Sequence, residues 1–176
     1  LPKIEFPCVL KKPDSAFSHG VVKIDDEKSL QKSLNQFFKN SDLVVVQPFI
    51  PTEFDWRIGI LDNKALFACR YFMAKGHWQI YDWHCQEENK EGDSETLPLH
   101  EVPEQIIKIA LKSTRLIGDG LYGVDIKSHG NKYYVIEVND NPNIDHGLED
   151  KILGQNLYEQ IMSVFLQRIR RKHGYV

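Results

Sequence analysis

Long hydrophobic runs are absent from this sequence of 176 residues. The longest unbroken apolar stretch, residues 65–69, has five residues, whereas a helix needs about 20 to cross a bilayer. The opening residues, LPKIEFPCVLKKP, lack the basic start and apolar core of a signal peptide. The sequence therefore predicts a protein with no membrane partner.

Cysteine is also scarce, and positive charge is not in excess. Cys8, Cys69 and Cys85 are odd in number, widely spaced and form no C-x-x-C pair, so neither a disulfide framework nor a zinc ribbon is indicated. We therefore expect a reducing, cytoplasmic location. Lys and Arg total 22 against 25 Asp and Glu, for a net charge of -3, which disfavours nucleic acid as a partner.

What remains is an ordinary globular composition, with 41% hydrophobic and 27% charged residues. Strand-like runs are predicted at residues 8–12, 20–24, 43–47, 56–61, 65–72, 122–128 and 132–138. Apolar residues at helical spacing predict three helices: one between the second and third strands, one from Pro103 to Gly118, and one from residue 155 to about 171. A polar stretch at 87–95 predicts a surface loop. Because strands and helices do not alternate strictly, the fold class is α+β.

The strongest local pattern is YGVDIKSHGNKYYVIEVNDNPN, which places two carboxylates and an amide in an otherwise apolar hairpin. Side chains alternate along a strand, so Glu137 and Asn139 share a face. A three-residue loop at 129–131 would put Asp125 on that same face, whereas a two-residue loop would put it on the other. The predicted strands, 122–128 and 132–138, leave three residues between them. This three-residue loop would gather hard oxygen ligands of the kind that magnesium prefers when it also holds phosphates.

Two basic patterns precede this hairpin. Lys11 ends the first strand and is followed by PDSAFSHG, a small-residue loop that could place backbone amides over phosphate. Arg57 and Arg70 fall on consecutive predicted strands, and the planar guanidinium group suits phosphate. Taken singly, each pattern is also typical of solvated surface residues.

The order of these patterns resembles the ATP-grasp fold. A lysine-ended strand with a small-residue loop is followed by QPFI, by D-x-R, and then by GVDI and IEVNDNP. The chain is most similar to the RimK-type glutamate ligases and their glutathione-synthase-like relatives. The resemblance covers residues from about 8 to 168, and GVDI followed by IEVNDNP is its most specific part.

The resemblance implies an ATP-dependent carboxylate–amine ligase that uses magnesium or manganese and an acyl-phosphate intermediate. It implies two subdomains, residues 1–50 and 51–176, and a further domain upstream of the chain. Metal ions would be held by Asp125, Glu137 and Asn139, and the transferred phosphate would be faced by Arg57 and Arg70. ATP would be bound by Lys11, Ser15, Ser18, Gly20, Gln47, Phe49 and Glu53. The substrates would be a carboxylate and an amine drawn from amino acids, peptides or protein termini.

Other interpretations stay open at this point. The phosphate loop is rich in serine, and Pro48 and Asn143 depart from the family pattern, so a nucleotide-binding or scaffold domain without turnover is one alternative. A zinc module built from His77, His84, Cys85 and His100 is another, although their spacing matches no familiar pattern. The aromatic stretch HWQIYDWHC is interpreted as a strand that packs on the sheet. Self-association into a homo-oligomer is left open.

Overall fold

The computed structural model describes residues 4–13, 19–85 and 90–175. Its strands are β1 (Cys8–Lys11), β2 (Val21–Ile24), β3 (Val45–Pro48), β4 (Phe54–Leu61), β5 (Lys64–Phe72), β6 (Ser94–Leu97), β7 (Leu121–His129) and β8 (Lys132–Asn139). Its helices are α1 (Glu27–Phe37), α2 (Glu104–Thr114) and α3 (Gln155–His173). The strands form two antiparallel sheets, so the α+β prediction is confirmed.

The smaller sheet has the order β2-β1-β3. One face packs under α1 through an apolar cluster that includes Cys8, Leu10 and Ile24. Helix α1 begins where the Asp26 side chain accepts a hydrogen bond from the Ser29 amide, in a capping box that satisfies an otherwise unpaired backbone donor. Because side chains alternate, Lys11 lies on the opposite face from this cluster and is available to a second layer.

The larger sheet has the order β6-β5-β4-β7-β8. Its first face packs on α2 through a cluster that includes Ile58, Val124 and Ile106. Its second face packs on α3 at one end, where Phe67 and Leu157 meet. The other end of that second face is polar, and it lies opposite the smaller sheet.

One tight turn and two register shifts set the pairing of the larger sheet. The Asp62-Asn63 turn has positive φ angles of 51° and 59°, as a tight two-residue hairpin requires. The β4–β5 register then shifts between Gly59 and Ile60, and the β7–β8 register shifts between Asp125 and Ile126. A one-residue shift moves every following side chain of that strand to the other face relative to its neighbour.

Apart from the aromatic stretch at 77–85, the predicted strands and helices are present, with strand ends that differ from the predictions by two residues or fewer. Helix α2 ends at Thr114, earlier than the expected stop at Gly118. The prediction missed strand β6, which begins inside the expected 87–95 loop, and a 3-10 helix at Leu99–Glu101. Within the described residues, no helix is long and apolar enough to cross a membrane.

The aromatic stretch at 77–85 is not a strand, contrary to the prediction. It consists of turns and bends, with a single bridge between Tyr81 and Glu91. The prediction failed because β-rich composition alone does not provide a pairing partner, and β5 has already ended at Phe72.

Candidate active site

A cleft with a volume of about 150 Å³ lies between the two sheets. The smaller sheet contributes Lys11 and the segment that follows β3, while the larger sheet contributes the polar end of β4, β7 and β8. Trp78, Gln79 and Ile80 close one side from the segment after β5. The cleft therefore combines apolar walls with convergent charged groups, which is typical of ligand sites.

Asp125 and Glu137 lie directly opposite each other on β7 and β8. The turn between these strands has two residues, since His129 pairs with Lys132, so the predicted three-residue loop is wrong. Asp125 nevertheless shares the face of Glu137 because the register shift leaves Ile136 as the extra residue of β8. Asn139 donates a hydrogen bond to Asp125 Oδ2 at 3.2 Å and completes the group.

Arg57 forms a fork-shaped ion pair with Asp125. Its Nε donates to Asp125 Oδ1 and its Nη2 donates to Oδ2 at 2.9 Å, because the two residues are opposite each other on β4 and β7. Both side chains are largely buried. The guanidinium group also lies 5.4 Å from the centre of the Tyr71 ring. This pair fixes the orientation of the Asp125 carboxylate.

Glu137 is held less firmly. Lys11 reaches from the smaller sheet and lies 3.7 Å from Glu137 Oε2, while it donates to the Ile136 carbonyl at 3.3 Å. Burial raises the pKa of Glu137, the neighbouring Asp125 charge raises it further, and Lys11 only partly opposes them. Lys11 therefore compensates the Glu137 carboxylate only in part, and a further cation beside it would favour its ionised form.

The donor set fits a magnesium ion. Two carboxylates and one amide oxygen are too few to enclose a metal, and the described residues contain no group of three or more His, Cys, Asp or Glu side chains placed to do so. Mg²⁺ commonly binds through one or two carboxylates and takes its remaining ligands from water and substrate phosphates. A magnesium site of this kind would take its protein ligands from Asp125, Glu137 and Asn139.

Comparison with known proteins assigns the chain to a family. The model of the RimK-like ATP-grasp domain matches residues 1–165. The chain belongs to the RimK-like ATP-grasp family. It is 27% identical over 141 residues to a D-alanine–D-alanine ligase of Pediococcus pentosaceus, covering 78% of this chain and 39% of the relative. It is 26% identical over 172 residues to a probable alpha-L-glutamate ligase of Parasynechococcus marenigrum, covering 97% of this chain and 34% of the relative.

Solved structures share the fold. The D-alanine–D-alanine ligase from Bacillus anthracis superposes with a TM-score of 0.74 at 22% identity, covering 96% of this chain and 57% of that one. The ATP-grasp ligase PsnB, complexed with a phosphomimetic variant of its minimal precursor, Mg and ADP, superposes with a TM-score of 0.60 at 17% identity. The match covers 89% of this chain and 46% of the PsnB chain. The RimK-like chain spans about two fifths or less of the length of the curated relatives it matches.

Arg70 does not join the ATP-grasp cleft, which corrects the expectation that both arginines face a phosphate. It pairs with Trp56 on β4, whereas Arg57 pairs with Cys69, so the two arginines lie on opposite faces of the sheet. Arg70 lies 4.7 Å from the centre of the Trp56 ring and bonds Glu95 at 3.3 Å. Its place on the α2 face follows from the β4–β5 register shift.

The remaining expected ATP-binding residues divide into four groups. Gln47 and Phe49 line the cleft. Gly20, at the end of the loop predicted to bind phosphate, has a positive φ of 67°, and its carbonyl accepts a hydrogen bond from the Lys12 amide at 3.2 Å. The Glu53 side chain is exposed and is not part of the cleft lining, so the structure does not bring it to the site. The predictions for Ser15 and Ser18 lie outside the described residues.

Sequence reasoning missed two polar groups of this RimK-like domain. Lys127 and Asp55 line the cleft as an ion pair of 2.6 Å. Tyr71 donates to Glu149, a fully buried carboxylate that also accepts the Asp145 amide at 2.7 Å. Strand alternation could have predicted the first group, because Lys127 lies two residues after Asp125 and Asp55 lies two residues before Arg57, on the same face of the sheet. The second joins distant segments and had no local signal.

The histidines named in the zinc alternative are not assembled into a site. His77 contacts Gln79 at 3.4 Å and Asp82 at 4.0 Å. His84 and Cys85 are exposed, and His100 lies on the surface beside Glu101. The described residues hold no group of three or more His, Cys, Asp or Glu side chains that could bind a metal, so the zinc alternative has no support.

Proposed function

We propose that this chain is the nucleotide- and metal-binding part of an ATP-dependent carboxylate–amine ligase. The observation that carries the proposal is the direct pairing of Asp125 with Glu137 beside a lysine that reaches across from the other sheet. The membership in the RimK-like family supports the same assignment. Residues 1–50 and 51–176 would form the two subdomains that enclose the nucleotide, because β1–β3 precede this boundary and β4–β8 follow it.

The reaction has two steps. A substrate carboxylate oxygen attacks the γ-phosphorus of ATP, the bond from that phosphorus to the bridging oxygen breaks, and ADP leaves. An amine nitrogen then attacks the acyl carbon of the acyl phosphate, inorganic phosphate leaves, and the nitrogen loses a proton to solvent. Both steps require charge neutralisation and alignment more than covalent help from the protein.

The residues of the cleft divide this work. Lys11 is placed to bind phosphate oxygens, because it projects into the cleft from β1 and already lies against Glu137. Arg57 orients Asp125 through Nε and Nη2, and its Nη1 would be available to the transferred phosphate. Asp125, Glu137 and Asn139 would hold Mg²⁺ or Mn²⁺, which when bound neutralises phosphate charge. Gln47 and Phe49 would receive the base.

The substrates are proposed by class. The curated relatives are named for ligation of D-alanine and of L-glutamate, and PsnB was solved with a precursor peptide. We infer a substrate with a free carboxylate, such as an amino acid, peptide or protein terminus, together with an amine of the same classes.

The test follows oxygen from the carboxylate. The chain is incubated with Mg·ATP and ¹⁸O-carboxylate forms of L-glutamate, D-alanine and short peptides, each with a panel of amines, and the inorganic phosphate is analysed by mass spectrometry. The proposal expects ¹⁸O in the phosphate and amine-dependent release of ADP, and Glu137→Gln should abolish both. Mg-dependent ATP binding without ¹⁸O transfer across the panel would instead favour a nucleotide-binding domain without turnover.

A further inference from the structure

A second ion pair lies in the cleft beside the proposed phosphate site. Lys127 Nζ is 2.6 Å from Asp55 Oδ1 and donates to Thr52 Oγ1 at 2.8 Å. Asp55 lies two residues before Arg57 on β4, and Lys127 lies two residues after Asp125 on β7. The two pairs therefore share one face of the sheet and are separated by about 7 Å along the strands.

Stability does not explain this second pair. Its side chains are only 15% and 14% exposed, and taking two charges out of water costs about as much as their attraction returns, so an apolar pair of similar volume would serve the fold as well. The nearby wall of the cleft is in fact apolar, with Val9, Val21 and Ile136. A polar pair in an apolar cleft wall is the arrangement that fixes the orientation of a ligand.

The pair has unused hydrogen-bonding capacity. A lysine ammonium group has three N–H donors, and Asp55 and Thr52 take two of those of Lys127. Asp55 Oδ1 accepts from both Lys127 and Thr52, while its Oδ2 has no hydrogen-bond partner among residues 4–13, 19–85 and 90–175. One donor and one acceptor therefore stand side by side at the cleft.

This pattern matches one edge of a purine. Adenine presents the N7 acceptor next to the 6-amino donor, whereas guanine presents two acceptors, N7 and O6. The geometry points to Asp55 and Lys127 as the pair that reads the base: Lys127 donates to N7 and Asp55 Oδ2 accepts from the 6-amino group. Guanine would place O6 against the Asp55 carboxylate and leave that oxygen unpaired. The inference deepens the proposed function and rests on nucleotide binding in this cleft.

The base has apolar surfaces available on either side of this edge. Phe49 and Trp78 both line the cleft, with ring centres 5.7 Å apart in an edge-on arrangement. Val9 and Val21 project from the smaller sheet into the same space. These side chains would contact the base in any nucleotide, so they supply affinity but do not distinguish adenine from guanine.

The test uses calorimetry of the whole chain with Mg²⁺ and three nucleotides: ATP, GTP and 7-deaza-ATP, which lacks the N7 acceptor. Wild-type protein should bind ATP at least about tenfold more tightly than either of the others, the usual effect of losing a hydrogen bond to a charged group. The double variant Asp55→Leu/Lys127→Met, which replaces the ion pair with apolar side chains, should bind all three alike. Lys132→Met, an exposed lysine at the end of the β7–β8 turn, is the matched control and should keep the wild-type preference.

The outcomes separate this inference from the proposed function. No binding of any Mg-nucleotide by wild-type protein would overturn the proposed function, and the inference with it. Binding of ATP, GTP and 7-deaza-ATP with equal affinity would overturn the inference alone. The comparison of the three nucleotides on wild-type protein can overturn the inference even if the double variant fails to fold.

Discussion

Asp125 and Glu137 face each other across β7 and β8 because Ile136 is an extra residue in the ladder. The two-residue turn alone would place Asp125 opposite Ile136 and would leave the two carboxylates on different faces. One bulge thus brings the acidic pair together. Bulges are common beside active sites, where they redirect a side chain.

Glu137→Gln should weaken Mg·ATP binding by at least about tenfold, because the variant removes one of two charges that would face the metal. The fold should survive, since the Glu137 side chain is 44% exposed. Calorimetry with and without Mg²⁺ measures the effect. The control is Glu95→Gln, which removes a carboxylate of similar exposure that pairs with Arg70 on the other face. Equal affinities for wild type and Glu137→Gln would refute the metal assignment.

Glu137→Gln should also alter the pH dependence of stability. Burial and the charge of Asp125 raise the pKa of Glu137 in the folded protein. Between the unfolded and the folded pKa of this residue, the native state therefore binds more protons than the unfolded state. Ionisation of Glu137 therefore lowers the free energy of unfolding above its unfolded pKa. Metal-free Glu137→Gln should lose this decline and be more stable than wild type at neutral pH. Urea unfolding at pH 4 and pH 7.5 measures both, and a less stable variant at pH 7.5 would show that the Lys11 contact dominates.

Arg57→Met and Arg70→Met should differ sharply. The first leaves the largely buried Asp125 without its cation, which costs about 3 kcal/mol or more of folding free energy, and should weaken nucleotide binding. The second removes an exposed ion pair and a stacking contact on the α2 face, so nucleotide affinity should stay at the wild-type value. Urea unfolding and calorimetry of both variants test this. A loss of affinity in Arg70→Met would contradict its placement outside the cleft.

Tyr71→Phe should destabilise the protein by about 1–3 kcal/mol, because Glu149 is fully buried and loses a hydrogen-bond donor. The ring beside Arg57 is kept, so Mg·ATP affinity should change little. Denaturant unfolding measures the first effect and calorimetry the second. Tyr134→Phe is the control, since the Tyr134 hydroxyl has no hydrogen-bond partner within the described part of the chain. A shift no larger than that of the control would show that Glu149 does not depend on Tyr71.

The sequence predicted most of the fold because its signals are local. The strand-like apolar runs and the helical spacing of apolar residues each act over a few residues, and the strands and helices that they predict are found in the structure. The order of motifs then indicated the family. What local signals cannot provide is the pairing register, which depends on bulges and on the packing of both faces.

Arg70 illustrates this limit. The Asp62-Asn63 turn without a bulge would place Arg70 opposite Asp55, on the face of Arg57. The shift between Gly59 and Ile60 places it opposite Trp56 instead. The sequence of β5 contains no signal that predicts this shift. The similar shift between β7 and β8 instead brings Asp125 to the face on which the acidic cluster was predicted. The Tyr71–Glu149 bond, which spans 78 residues, was equally beyond local reasoning.

The most direct test of the account is anomalous diffraction from crystals of this chain grown with Mn²⁺ and a non-hydrolysable ATP analogue. We expect a manganese peak within coordination distance of Asp125 and Glu137, with the phosphates between that peak and Lys11. A bound nucleotide whose metal lies away from both carboxylates, or crystals that bind neither ligand at saturating concentration, would contradict the account.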